Sequence, residues 1–193
     1  MFFKKMLSVK RLMLAAALVA LSVLLVGVIQ AQDEEADEPV LLIGTITNET
    51  DLFVGLSIDG EDATLYICDG QADKGTISIG QWFVGKVVDG AIAVTAANGN
   101  QVEVTLNEEE ETASGKFTFT DGTIKEFVLT LAEDEAALLR SEFAFGDHKY
   151  IGGWLVLANG DIRGSVFEVD TETLVPATLT GPTIPKKNDT DNS

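Results

Sequence analysis

The sequence predicts an all-β fold, an antiparallel meander of about ten strands that forms a closed or nearly closed barrel. Apolar and polar residues alternate with a period of two through most of the chain after residue 40, as half-buried strands require. Asp-Gly and Asn-Gly dipeptides, which favour tight hairpin turns, recur between the alternating segments. The short connections leave no room for crossover helices, so neighbouring strands are expected to be antiparallel.

Residues 1–31 have the layout of a secretory signal peptide. A basic start is followed by an apolar run of 18 residues, from Leu12 to Ile29, and then by the small residue Ala31. The run is also long enough to span a bilayer, so an uncleaved N-terminal anchor is the alternative. Either outcome exports the rest of the chain, to the periplasm, the cell surface or the medium. Residues 32–39 form an acidic linker with nothing to bury.

A single β domain is predicted over residues 40–179. The segment Phe-Val-Gly-Leu-Ser-Ile-Asp-Gly at 53–60 returns as Phe-Val-Gly-Lys-Val-Val-Asp-Gly at 83–90, so one hairpin device is used repeatedly. The predicted strands are 40–48, 51–58, 62–68, 82–88, 91–96, 101–106, 113–119, 123–131, 138–145, 149–157 and 161–168.

Three segments interrupt this pattern. The loop 69–80 is longer than a hairpin connection, and 133–139 has the composition of one helical turn. Alternation is lost after Val169, and 180–193 is predicted to be a disordered tail.

Strands this numerous must close into a barrel or divide into a two-sheet sandwich. Glycines near the strand centres favour the barrel, because they permit sharp bending.

The strongly negative net charge disfavours nucleic acid and anionic membrane surfaces as partners. The chain has 31 acidic and 13 basic residues, and loss of the leader, with its four basic and no acidic residues, takes the net charge from −18 to −22. Such a field repels phosphate backbones and anionic lipid, so neither nucleic acid nor a membrane surface is an expected partner. A membrane contact is expected only through the N-terminal segment, if it is uncleaved.

Residues that carry chemistry are few. His148 is the single histidine and Cys68 the single cysteine. A histidine-based catalytic triad would therefore have to use His148. One histidine and one cysteine are too few to form a zinc cluster of the usual ligand types within one chain. Cys68 lies in an alternating strand and is predicted to be a buried thiol; an intermolecular disulfide or a reactive thiol is the alternative. Asp69 and Asp73 are weak calcium candidates, since their loop lacks the glycine and the final glutamate of an EF-hand. No cofactor is predicted.

Aromatic residues cluster in three patches, with Tyr66, Trp82, Tyr150 and Trp154 as candidate ligand-binding residues. Packing in the core is one interpretation, and an aromatic-lined pocket at a barrel mouth for a small apolar or sugar ligand is the other. The patches Tyr-Ile-Cys-Asp-Gly, Trp-Phe-Val-Gly and Tyr-Ile-Gly-Gly-Trp resemble those of a set of exported bacterial all-β domains of unknown function. The resemblance covers residues 40–169, and it implies an exported domain without assigning an activity.

The sequence therefore favours a non-catalytic module of the cell envelope or its surroundings, with a protein or small molecule as its partner. Two other functions remain open. One is a barrel that encloses a small ligand near Trp82 and Trp154. The other is a carboxylate-dependent hydrolase, for which the abundant acidic residues give no specific signal.

Overall fold

The computed structural model describes residues 39–182, which contain thirteen β-strands and no α-helix. The strands are β1 (Val40–Ile46), β2 (Phe53–Asp59), β3 (Asp62–Cys68), β4 (Gly80–Lys86), β5 (Ala91–Thr95), β6 (Gln101–Asn107), β7 (Thr112–Thr118), β8 (Ile124–Leu131), β9 (Ala137–Phe145), β10 (His148–Val156), β11 (Ile162–Glu168), β12 (Thr173–Thr178) and β13 (Gly181–Pro182). The predicted leader, almost all of the acidic linker and residues 183–193 of the predicted tail lie outside the described residues. In the described part, no helix has the length and apolar character needed to cross a membrane.

Strands β1 to β8 form one antiparallel sheet that nearly closes into a barrel. The sheet order is β4-β3-β2-β1-β8-β7-β6-β5. Consecutive strands therefore pair with each other except β4 and β5, and β1 pairs with β8 from Leu42↔Leu131 to Ile46↔Phe127. The two end strands, β4 and β5, are also consecutive in the chain. The predicted meander barrel is confirmed, with its gap between β4 and β5.

Side-chain amides bridge one end of this gap. Gln81 on β4 donates from Nε2 to Oδ1 of Asn98 at 2.8 Å, and its Oε1 accepts from Nδ2 of Asn100 at 2.7 Å. Asn98 and Asn100 belong to the turn between β5 and β6. Asn100 is buried, and its Oδ1 accepts from the backbone N–H of Thr120. These bonds replace part of the missing backbone ladder between the two end strands.

Side chains fill the barrel interior. Alternate residues of the eight strands point inward, as the period of two predicts. The ring of Phe117 meets Phe83 edge to face at a centroid distance of 5.8 Å, and it meets Phe119 at 4.4 Å. The larger inward side chains are buried, with at most 5% exposure: Leu42, Ile46, Val54, Leu56, Leu65, Ile67, Phe83, Ile92, Val102, Val104, Phe117, Phe127 and Leu129.

Strands β9 to β13 form a second antiparallel sheet, the small sheet, in the order β13-β12-β11-β10-β9. One of its faces, the wall-facing side, packs on the outer surface of the barrel. Leu155 of β10 is fully buried there against Phe53 and Ile43 of the barrel. The opposite side carries Tyr150, Trp154 and Val166, and we call it the outer face.

A single turn precedes β9, where the sequence suggested one: the backbone N–H of Ala136 donates to the carbonyl oxygen of Glu133. The structure differs from the sequence prediction in the limits of several strands, since β4, for example, begins at Gly80 instead of residue 82. It also differs in placing the predicted strands 138–145, 149–157 and 161–168 in a second sheet, and in its last two strands. β12 was not predicted, because Pro176 and its threonine neighbours hide the alternation. The two-residue β13 falls inside the predicted disordered tail and pairs with β12.

Candidate functional site

The structure brings together two of the four predicted aromatic residues, Tyr66 and Trp82. They face each other across the β3–β4 ladder on the outer surface of the barrel. Their rings stack with centroids 4.3 Å apart and an interplanar angle of 27°. The guanidinium carbon of Arg140, from the small sheet, lies 5.6 Å from the centroid of the Trp82 ring. The pair therefore belongs to the seam between barrel and small sheet, not to a barrel mouth.

The hydroxyl of Tyr66 connects the barrel to two strands of the small sheet. It donates to the carbonyl oxygen of Gly153 at 3.2 Å and lies 2.7 Å from Oγ of Ser165. Tyr66 is completely buried and Ser165 almost so. Burial, followed by the nearby Cys68, raises the pKa of the Tyr66 phenol well above its usual value. The phenol is therefore a neutral structural group that fixes the small sheet on the wall.

Gly153 allows this close approach. A Cβ at this position would lie 2.5 Å from Cζ of Tyr66 and 2.8 Å from Nε1 of Trp82. Both rings are stacked and held between two sheets, so they have little freedom to move away. Only glycine therefore permits β10 to lie on the aromatic pair.

Cys68 is a free cysteine buried in the same seam. Its Sγ accepts a hydrogen bond from the backbone N–H of Gly70 at 3.2 Å. Burial raises the pKa of the thiol to about 11. A thiol that stays protonated and has no access to solvent is a poor nucleophile, so the position fits the predicted buried thiol.

The other two predicted aromatic residues, Tyr150 and Trp154, lie on the outer face, on the far side of the small sheet from Tyr66. The indole of Trp154 lies flat on the backbone of β10 and β11. A Cβ at Gly152 would lie 2.3 Å from Cη2 of this ring, and a Cβ at Gly164 would lie 2.3 Å from its Cδ1. The indole N–H donates to the carbonyl oxygen of Thr178 at 2.9 Å. Trp154 is 9% exposed, so it forms the floor of the outer face.

Aromatic and aliphatic side chains of β9 extend this face into solvent. The ring of Phe143 stacks on Tyr150 with centroids 5.2 Å apart and an interplanar angle of 15°. Leu139, Phe143 and Phe145 are 41%, 43% and 78% exposed. The result is an apolar patch on a strongly acidic chain. Its exposed part is Leu139, Phe143 and Phe145, its half-buried part is Tyr150 and Val175, and the buried Trp154 and Val166 lie beneath.

His148 lies at one border of the outer face. It is the first residue of β10, and its Nδ1 is 2.7 Å from Oε1 of Glu168 and 4.0 Å from Oδ2 of Asp170. Its side chain is half exposed. Two carboxylates and a solvent-exposed imidazole are in contact at the surface here, and within the described residues no hydroxyl or thiol hydrogen-bonds to His148 as a triad would require.

A polar cleft of about 370 Å³ lies between the loop 71–74 and the turn that joins β10 to β11. Gln71, Asp73, Lys74, Asp161, Arg163 and Thr178 contribute polar side chains to its lining. The cleft is in the size range of small-ligand sites. Trp154 is one hydrogen bond away from it, through the carbonyl oxygen of Thr178.

One buried polar atom at this cleft lacks a partner within the described residues. The neighbouring Gln71 is a buried polar residue at 6% exposure, and it lines the same cleft. Nε of Arg163 is buried without an acceptor, while Nη2 is 3.7 Å from a carboxylate oxygen of Asp51. Buried donors without acceptors are costly, so the cleft is a place where a polar ligand would be stabilised.

The two calcium candidates, Asp69 and Asp73, have different surroundings in the structure. Oδ1 of Asp69 accepts from the backbone N–H groups of Ser78 and Ile79, at 2.8 and 3.0 Å, and its Oδ2 accepts from the Ser78 hydroxyl. These bonds close the loop 69–80 on itself. Asp73 lines the polar cleft instead. Among residues 39–182, no group of three or more His, Cys, Asp or Glu side chains is arranged to hold a metal ion.

Neither the polar cleft nor the exposed edge of β9 is predicted by the sequence. Gln71 and Arg163 are far apart in the chain, and nothing in their local sequence indicates that they meet. Leu139 and Phe143 belong to an alternating pattern that normally predicts burial. No protein-family model matches the chain, and no curated protein or solved structure matches it either. The resemblance to exported bacterial all-β domains therefore stays a prediction.

Proposed function

We propose that the chain is an exported, non-catalytic binding module of the bacterial envelope or its surroundings, and that it works through the outer face of the small sheet. The observation that carries this proposal is the exposure of Leu139, Phe143 and Phe145 beside the Tyr150 ring. Contiguous exposed apolar side chains on a soluble domain mark interaction surfaces. Aromatic residues are also enriched at the centres of protein interfaces.

The filled barrel supports a surface function. Phe83, Phe117 and Phe127 occupy the space that a ligand-enclosing barrel would leave open. Tyr66 and Trp82 are committed to the seam, where they hold the small sheet in position. The barrel thus acts as a rigid support, and the outer face is the surface that it presents.

The charge distribution favours a protein partner with an apolar patch. The apolar side chains of the outer face are bordered by His148 and Glu168, which lie 2.7 Å apart, while the chain as a whole has a net charge of −18. An apolar centre with a charged rim is the usual arrangement of a protein interface. The surplus of carboxylates repels nucleic acid and anionic lipid from the same surface.

Site-specific photocross-linking in a bacterial host tests this proposal. A photoreactive phenylalanine analogue replaces Phe145 in the full-length chain, and the matched control places it at Val128, an exposed apolar residue on β8 of the barrel. We expect a covalent adduct of one discrete mass from position 145 and none from position 128. Equal labelling at both positions, or no adduct at either, would contradict the proposal.

A second candidate function is the binding of a small polar ligand, such as a sugar, in the cleft beside Gln71. The buried amide of Gln71 and the unpartnered Nε of Arg163 favour it. The Trp82→Phe variant leaves Trp154 as the single tryptophan and a reporter of the cleft. A shift of its emission by a sugar library member, lost in Gln71→Met, would support this function. No shift from any member would reject it.

A further inference from the structure

Strand β9 is an exposed sheet edge. Among the strands of residues 39–182, it ends the small sheet and pairs with β10 alone. All seven residues from 139 to 145 are exposed, so both faces of the strand as well as its free edge are open to solvent. An ordinary edge strand of a two-layer domain has one covered face. β9 is therefore the least covered long strand of the described chain.

The sequence of β9 lacks three of the usual protections of an edge. Free edges present unpaired backbone N–H and C=O groups, and proteins commonly protect them with lysine, proline, a bulge or other charged side chains. The charged residues of β9 are one of each sign, Arg140 and Glu142. β9 reads Ala-Leu-Leu-Arg-Ser-Glu-Phe-Ala-Phe and contains neither lysine nor proline. Its ladder with β10 is continuous over all nine residues, without a bulge. The edge is thus long, regular and available for pairing.

We propose that β9 pairs antiparallel with β9 of a second copy of this chain, in the register centred on Ser141. This register places Arg140 opposite Glu142 of the second copy, and the twofold axis repeats that pair. It also places Leu139 opposite Phe143 of the second copy, again twice. Opposite charges and apolar pairs directly across two strands stabilise a ladder. The proposal deepens the proposed function, since it names the partner of one border of the outer face.

The charges select this register. In the chain itself, Nη2 of Arg140 lies 2.5 Å from Oε1 of Glu142, and both side chains are on the wall-facing side of β9. A slip that moves the pairing centre by one residue in either direction, with the same faces matched, sets Arg140 against Arg140 or Glu142 against Glu142. Like charges directly opposite destabilise a ladder. The slip centred on Arg140 also loses the apolar pairs, whereas the slip centred on Glu142 sets Leu139 opposite Phe145, so there the like charges alone disfavour it.

The geometry of the pairing joins the two outer faces. A twofold axis perpendicular to the sheet keeps the same side of each sheet in the same direction. Two five-stranded sheets become one ten-stranded sheet, and the Phe143–Tyr150 stacks of the two copies lie near its centre. In an isolated copy, the apolar patch ends at the free edge of β9. In the dimer, the patches of the two copies adjoin and form one continuous apolar surface.

The association is expected to be weak and concentration-dependent. A single strand pair buries an area at the low end of specific interfaces, so a dissociation constant on the order of micromolar is expected. Each copy carries a large negative charge, which opposes association at low ionic strength. We therefore expect the dimer to form more readily at about 0.15 M salt than at about 0.01 M, where charges act over longer distances.

Sedimentation velocity on charge-swapped variants of the exported chain tests the proposal. Arg140→Glu places two carboxylates opposite each other in the dimer, and Glu142→Arg places two guanidinium groups there. Each variant alone is expected to dimerise at least about tenfold more weakly than the unmodified chain. An equal mixture of the two variants restores opposite charges at both pairs, so it is expected to regain the dimer as a heterodimer.

The mixture separates pairing from folding. Both variants lose the ion pair within β9, and Arg140→Glu also loses the contact with Trp82, so a defect caused by folding alone would persist in the mixture. Weakening of each variant alone supports the register centred on Ser141, because in the slipped registers the unmodified chain already has like charges opposite each other. Recovery of the dimer in the mixture shows that the weakening comes from charge across the interface. An unmodified chain that stays monomeric up to about millimolar concentration, or variants that dimerise as it does, would overturn the proposal. Photocross-linking at position 145 to a different protein would still support the proposed function.

Discussion

Removal of the Tyr66 hydroxyl tests whether this group holds the small sheet on the barrel wall. The position of the outer face depends on that contact. In Tyr66→Phe, the ring keeps its stack on Trp82, while the Ser165 hydroxyl loses a partner at 2.7 Å and the Gly153 carbonyl loses a donor at 3.2 Å. Ser165 is buried at 2% exposure, so water cannot replace the lost partner without opening the seam. A buried polar group left unsatisfied costs about 1–3 kcal/mol, and we expect a loss of stability in that range.

A double-mutant cycle separates the hydrogen bond from other effects. Ser165→Ala removes the other hydroxyl, and the double variant removes both, which leaves no orphaned hydroxyl between these two side chains. We expect the double variant to lose less stability than the sum of the two single variants, by about 1 kcal/mol. Urea unfolding followed by tryptophan emission measures each value, because Trp82 stacks directly on the perturbed ring.

Two results would refute this reasoning. The first is a loss below about 0.5 kcal/mol in Tyr66→Phe, which is the range of ordinary surface substitutions. The second is strict additivity in the cycle, which would show that the two hydroxyls do not interact in the folded chain. Either would mean that the small sheet is not fixed on the barrel wall through this bond.

Three further predictions concern the seam and the core. Gly153→Ala should cost about 1–3 kcal/mol in urea unfolding, because the added methyl group overlaps the Tyr66 and Trp82 rings; a neutral effect would contradict the close packing. Phe117→Ala should cost about 3–5 kcal/mol, whereas Phe145→Ala, at 78% exposure, should stay within about 0.5 kcal/mol; equal losses would contradict a filled barrel. Stability should fall as the pH rises above 9, because the unfolded chain releases the Cys68 proton near 9 and the folded chain keeps it until about 11. The Cys68 contribution to this fall is about 2–3 kcal/mol, and Cys68→Ala should reduce the alkaline slope in unfolding curves between pH 8 and pH 11; an unchanged slope would contradict the burial of the thiol.

The hairpins could be predicted from the sequence because their signals are local. Gly60, Gly90, Gly99, Gly122 and Gly160, each after Asp or Asn in the chain, all have positive φ angles at the predicted turns. Antiparallel pairing and inward alternation followed from those turns. The fold class was therefore determined by residues a few positions apart.

The division of the strands between two sheets could not be predicted, because it depends on contacts between distant residues. Tyr66 and Trp154 have similar local patterns, yet one lies in the seam and the other on the far side of the small sheet. Ser165 is 99 positions from Tyr66, and only the folded chain brings their hydroxyls together. The same limit applies to the cleft, where Gln71 and Arg163 meet.

The β9 edge shows why exposure is harder to predict than strand position. Alternating Leu139, Phe143 and Phe145 indicate a strand with one buried face. In the structure, β9 runs at the margin of the small sheet, where neither face is covered. A further strand beside β9 would pair its free backbone edge and would place Leu139 against Phe143 of the second copy.

Amide hydrogen exchange, measured residue by residue at low and high protein concentration, tests the central claim most directly. A filled barrel that supports a free sheet edge predicts the slowest exchange in β1–β3 and β6–β8. It also predicts that amides of β9 directed away from β10 exchange quickly in dilute solution and slow down as concentration rises. Fast exchange throughout the barrel, or β9 amides that are protected to the same degree at every concentration, would contradict it.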